Sequence, residues 1–274
     1  MLHTATNPHV KAPEGDLALL PAVVDVARAA GARLLAVFSP SARPRGRADM
    51  FTAGTRNEDV SLDGLRESLA RIRPAAGWVD EDQETTALPD GEWWTVDAVE
   101  GSVNHVHGMS EWCVSITLLR DNAPVLTVVH QPIGDLTYTA VRGKGAYLNG
   151  TQLRVSPKTE LNAAIVATGQ AEADQATTRR RIGESIIVML EHALLVRATV
   201  PSTFPMLLVA SGQNDVFWQY EPVLPGIAAG ILLVTEAGGI ASRIDGSPWR
   251  PGSPDILVAN PALHGTAVGL LAAV

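Results

Sequence analysis

Trp94-Thr95-Val96-Asp97-Ala98-Val99-Glu100-Gly101-Ser102-Val103-Asn104 is the stretch from which this chain is read. Residues 94–99 form a short apolar run with the character of a strand, and the run ends in acids. Asp97 and Glu100 stand three apart, followed at once by Gly101-Ser102, where a helix could start. Such an order lets two carboxylates face one cation while the free N–H groups of Gly101 and Ser102 face an anion. Hard divalent ions such as Mg²⁺ take oxygen ligands and accept a phosphate in the same shell. The same letters also suit an Asp that caps the next turn and a solvated loop Glu, so the motif alone leaves both readings open.

Downstream, residues 112–119 and 125–130 are β-branched runs bounded by turn residues. Further turns at Ile133-Gly134-Asp135 and Leu148-Asn149-Gly150 predict an antiparallel meander that includes residues 138–141 and 145–148. Upstream, residues 16–38 predict a long helix with Asp16 as N-cap, unless Pro21 delays its start. A mobile basic loop is expected over 39–55, then a second helix with Leu62, Leu65, Leu69 and Ile72 on one face. The second half mixes strands at 163–168, 215–219 and 256–259 with helices at 173–195, 206–211, 226–237 and 262–273. Gly238-Gly239 is placed to stop the third of these helices. A weak boundary near 156–160 suggests an N-terminal α+β lobe over 1–157 and a C-terminal α/β lobe over 158–274.

Composition narrows the function. The formal charge of −8 opposes binding to nucleic acid or anionic membranes. The single cysteine, Cys113, excludes an internal disulfide framework and fits a reducing cytoplasm. Residues 1–15 are polar with no apolar stretch behind a basic head, so a secretory leader is not expected. No apolar run has the length of a membrane span.

Residues 94–102, with Asn104, His107-Gly108 and Cys113-Val114-Ser115-Ile116 after them, resemble the signature of the inositol monophosphatase family, close to W-x-x-D-P-[IL]-D-G-T-x-N-[FY]-x-H-G. The similarity continues through Arg142-Gly143-Lys144-Gly145-Ala146, Leu148-Asn149-Gly150 and Val209-Ala210-Ser211-Gly212 to Thr235-Glu236-Ala237-Gly238-Gly239. It covers most of the chain from about Trp78. The resemblance implies an α/β fold, a layered αβαβα sandwich of the inositol monophosphatase and fructose-bisphosphatase type, commonly a homodimer. It also implies Mg²⁺-dependent hydrolysis of a small phosphorylated metabolite, an inositol, sugar or nucleotide phosphate.

Roles carry over residue by residue. Glu81 matches a cation ligand that helps activate water, Asp97 the bridging ligand and Val99 a backbone-carbonyl ligand. Glu100 stands where the family has Asp, one methylene longer, and Ser102 replaces Thr but keeps the hydroxyl that orients water. Gly101 and Ser102 would meet the phosphate, and Glu58 falls near an acid that pairs with that hydroxyl. Where the family reads W-D-x-A-A-G, this chain has Pro225-Gly226-Ile227-Ala228-Ala229-Gly230, so Gly226 lacks the carboxylate of the second cation site. Glu221 matches a substrate-contacting acid or replaces that missing ligand. His105 and His107 have no Cys or third His nearby, which argues against a transition-metal site. The altered ligands leave an alternative function: the fold recruited to another reaction, or to phosphate-ligand binding without hydrolysis.

Overall fold

The computed structural model describes residues 14–170 and 175–274, the side chains of Glu14 and Glu81 excepted. Residues 1–13, on which the reading of the leader rested, lie outside it, as do 171–174 at the expected start of the helix over 173–195.

Among the described residues two sheets carry the architecture. The first is a seven-stranded meander in sequence order: β1 (Gly77–Trp78), β2 (Glu92–Glu100), β3 (Cys113–Arg120), β4 (Ala123–Gln131), β5 (Leu136–Val141), β6 (Gly145–Leu148) and β7 (Thr151–Gln152). It is antiparallel from β2 onward, with β1 a parallel edge. The second sheet holds β8 (Ile165–Thr168), β9 (Leu195–Ala198), β10 (Val216–Tyr220), β11 (Ile240–Ser242) and β12 (Asp255–Ala259), in the order β11-β12-β10-β8-β9.

Strand periodicity sends alternate side chains to different layers. From β4, Leu126 and Val128 pack with Val23, Ala27 and Leu34 of helix α1 (Glu14–Val37) and with Leu65 and Leu69 of α3 (Leu65–Ile72), which follows α2 (Arg47–Leu62). Val129 packs on the opposite face. Between β2 and β3 runs the short helix α4 (Ser102–Val106). On β10, Val216 and Trp218 face outward with Met189 of α5 (Ala176–His192) and Leu263 of the last helix, while Phe217 faces inward. The central layer is α6 (Thr203–Ala210) with α7 (Leu224–Glu236), packed between the sheets, and α8 (Pro261–Leu271) lies outside with α5. From Leu224 to Val234 every residue of α7 is buried, as suits a helix apolar on all sides. The layers therefore run αβαβα, as expected.

Three local expectations are corrected. Asp16 is not an N-cap: it lies inside α1, 1% exposed, and its carboxylate receives the Arg120 guanidinium at 2.7 and 2.8 Å. Pro21 is accommodated within the same helix. The expected loop over 39–55 is cut short because α2 begins at Arg47, and Leu62 ends α2 whereas Leu65 starts α3 after the left-handed Gly64. Helix α7 starts two residues early, at Leu224, because Pro225 fits the first turn, where its missing N–H costs nothing.

Candidate active site

Side chains along a regular strand alternate, so residues three apart would point to opposite faces. β2 breaks that rule where the two acids stand. Asp97 lies opposite Ser115 and Glu100 opposite Cys113, so three steps on β2 match two on β3. This bulge sets the Asp97 and Glu100 carboxylates side by side, near enough for each charge to act on the other. Ser61 of α2 fixes the bulged segment by donating to the Ala98 carbonyl at 2.6 Å. Val99 is buried between the two acids, and its N–H donates to Asp97 Oδ1 at 3.0 Å. Asp97 therefore bonds within its own strand and does not cap α4, which has no side-chain cap, and Glu100 is no solvated loop acid, being 5% exposed.

Glu100 reaches the central layer. Its Oε1 accepts the N–H of Thr203, the first residue of α6, at 3.0 Å, and the Thr203 hydroxyl donates to the Gly226 carbonyl at 2.9 Å. Burial, and then the Asp97 carboxylate beside it, push the Glu100 carboxyl well above the ordinary glutamate range, outweighing the Thr203 N–H. None of the ion pairs among the described residues involves either acid. Two neighbouring carboxylates with no basic partner among the described residues need a proton or a cation between them, and an all-oxygen donor set fits a hard divalent ion. Among the described residues no three His, Cys, Asp or Glu side chains gather as one metal set. Glu81 begins a short 3-10 turn, Glu81–Gln83, and its side chain lies outside the described residues. Cys113, opposite Glu100, is fully buried, and burial pushes its thiol well up, so it is an inert core residue.

After the acids the chain must turn sharply. Gly101 has φ +89°, and a Cβ there would lie 2.5 Å from the Glu111 carbonyl oxygen, so both backbone and space require glycine. The first helical bond of α4 runs from His105 N–H to Gly101 O. The N–H groups of Ser102, Val103 and Asn104 precede it and have no acceptor within the helix. Asn104 Nδ2 donates to Glu111 O at 2.8 Å and Val200 O at 3.2 Å, closing the loop. His105 is structural: its Nδ1 meets Asn57 Nδ2 at 2.9 Å and its Nε2 meets Leu34 O at 3.2 Å. His107 Nδ1 lies 2.7 Å from Val103 O.

Two other expected positions are exposed. Glu58 is on the exposed side of α2, whereas Asn57 and Ser61 turn inward toward the motif. Their four-residue spacing, which sets both on one helix face, is the signal that the sequence carries for these contacts. Glu221 is exposed, left-handed at φ +47°, and its N–H donates to Pro254 O at 2.7 Å. It lines an open cleft of about 300 Å³ with Thr85, Gln175, Val223 and Ser253. Leu224 N–H, bonded to Glu84 O at 2.9 Å, ties this segment to the loop that follows Glu81. Thr203 was not anticipated, since nothing local marks a residue 103 positions from its carboxylate partner.

Comparison with known proteins gives the family and the fold. Residues 19–274 match the model of the inositol monophosphatase family. An inositol-1-monophosphatase of Rhizobium meliloti (strain 1021) is 33% identical over 212 residues, covering 76% of this chain and 78% of the relative. A putative Nus factor SuhB of Neisseria meningitidis serogroup A is 32% identical over 230 residues, covering 82% and 85%. The structure of an inositol monophosphatase from Anabaena superposes with a TM-score of 0.82 at 24% identity, covering 94% of this chain and 96% of that one, which shows a shared fold. The chain belongs to the inositol monophosphatase family.

Proposed function

We propose that this protein is a Mg²⁺-dependent phosphomonoesterase acting on a small phosphorylated metabolite, an inositol, sugar or nucleotide phosphate. The observation that carries the reading is the bulge of β2, which sets the Asp97 and Glu100 carboxylates together, the latter buried, with no basic partner among the described residues. Glu81, Asp97, the Val99 carbonyl and Glu100 would hold the cation. When bound, such an ion supplies charge that stabilises developing negative oxygens and acidifies water. The chain's own groups orient the ester. Gly101 and Ser102 offer backbone N–H groups to its non-bridging oxygens, and the Ser102 hydroxyl, with Glu58 as its assigned acid, holds the attacking water. Glu221 and its cleft receive the alcohol portion. The enzyme works in this reading as a cytoplasmic homodimer; no helix among the described residues is long and apolar enough to cross a membrane.

Incubating the pure protein with Mg²⁺ and a panel of inositol, sugar and nucleotide phosphates tests the reading, and phosphate release from none of them would refute it. One observation favours a second reading, ligand binding without hydrolysis: Gly226 brings no carboxylate to the site and Glu100 is engaged by α6. Calorimetry separates the two, since binding of a phosphate ester indifferent to Mg²⁺ supports the second, and tight uptake of two Mg²⁺ ions excludes it.

A further inference from the structure

Gly226 has no backbone reason to be glycine. It sits in the first turn of α7, outside the left-handed region, where glycine costs about 1 kcal/mol against alanine. Its open side faces Glu100: a Cβ built there would lie 3.7 Å from Glu100 Oε2 and 3.9 Å from Oε1. The same carboxylate is held by Thr203 N–H, and Thr203 in turn grips the Gly226 carbonyl. A carboxylate carried on β2 of the first sheet thus lies against the helix turn where a side chain of residue 226 would start. An aspartate side chain at 100 is one methylene shorter and cannot span the same distance to Thr203 from an unmoved backbone.

We infer that Glu100 and Gly226 are one coupled exchange: the long acid at 100 fills the space of a short acid at 226, so that β2 alone supplies the carboxylate of this region and α7 supplies none. The inference rests on the cation site proposed above only for its metal arm; the packing arm stands without it. A carboxylate introduced at 226 alone would be driven against Glu100, a like charge in a buried place. The same carboxylate beside a shortened residue 100 finds room and the amides of the α7 first turn.

The test is a cycle of four proteins, wild type, Glu100→Asp, Gly226→Asp and the double variant, with Gly226→Ala as control. Thermal melting in EDTA and Mn²⁺ titration by calorimetry are the readouts. In EDTA, Gly226→Asp and Glu100→Asp each lower Tm by several degrees, the double variant loses much less than the sum of the two, and Gly226→Ala melts at or slightly above the wild-type value, its Cβ being in ordinary contact. In the titration, Glu100→Asp alone weakens Mn²⁺ binding at least tenfold, and adding Gly226→Asp recovers most of that loss. Strictly additive Tm changes overturn the exchange, and so does a Gly226→Ala loss as large as that of Gly226→Asp. Full Mn²⁺ affinity in Glu100→Asp overturns its metal arm. Wild-type protein that takes up no Mn²⁺ overturns both the metal arm and the cation site proposed above, whereas coupled Tm changes in that same protein uphold the packing exchange.

Discussion

Gly101→Ala places the sharpest demand on the geometry of the motif turn. Two costs are written into the position. The left-handed backbone, φ +89°, costs alanine roughly 1–2 kcal/mol. The new Cβ would also meet the Glu111 carbonyl at 2.5 Å, with Pro201 Cγ at 3.1 Å and Trp112 Cα at 3.2 Å. The Glu111 oxygen is backbone and is held by Asn104 Nδ2 at 2.8 Å, so relief requires moving the whole loop, about 1–3 kcal/mol more. The sum is roughly 2–5 kcal/mol, which for a chain of this size lowers Tm by about 3–9 °C. Gly143→Ala is the internal control: φ is +72° there, but nothing stands within 4 Å, so only the backbone cost applies. Differential scanning calorimetry of both variants separates the terms. A Gly101→Ala loss no larger than that of Gly143→Ala would refute the close approach of Gly101 to Glu111.

Two further outcomes concern the clamp that fastens α1 to the first sheet. Arg120 bonds both oxygens of Asp16, whose side chain is 2% exposed, and also Glu92. Arg120→Met strands a buried charge and should cost about 3–5 kcal/mol in urea unfolding, most of it recovered when Asp16→Asn is added. Hydrogen bonding to Arg73, and more weakly to Arg120, holds the Glu92 carboxyl below its ordinary value. Its folded-state value is therefore depressed, and the stability it contributes is complete above the unfolded value and lost as the pH falls through the folded one. Arg73→Met should accordingly move the acid-unfolding midpoint, followed by circular dichroism, to higher pH; an unchanged midpoint would show that the pair contributes nothing.

The meander was legible because its main strands are β-branched runs and its turns carry residues tolerant of positive φ, such as Asp135 and the pair Asn149-Gly150. Strands β9 and β11 were not, being four and three residues long at the edges of the second sheet, with too little period to read. Arg47 hid the start of α2, since prolines and arginines before it give the composition of a loop. At the site, strand alternation alone would separate Asp97 from Glu100, although their order before Gly101-Ser102 and the family resemblance both join them; the bulge supplies the physical reason. The same resemblance put weight on Glu58, which is exposed, while Asn57 and Ser61 form the inward contacts. The contact between Glu100 and Thr203 bridges two layers of the sandwich, a relation that only tertiary structure can disclose.

Phosphate release in Mg²⁺, measured for wild type and Asp97→Asn against the same panel of esters, tests the carboxylate pair most directly. Release from at least one ester by the wild type, abolished by EDTA and reduced to background in an Asp97→Asn protein of unchanged Tm, is the expected result. Hydrolysis that persists in Asp97→Asn, or a wild type that releases phosphate from no ester, would contradict a cation site at Asp97 and Glu100.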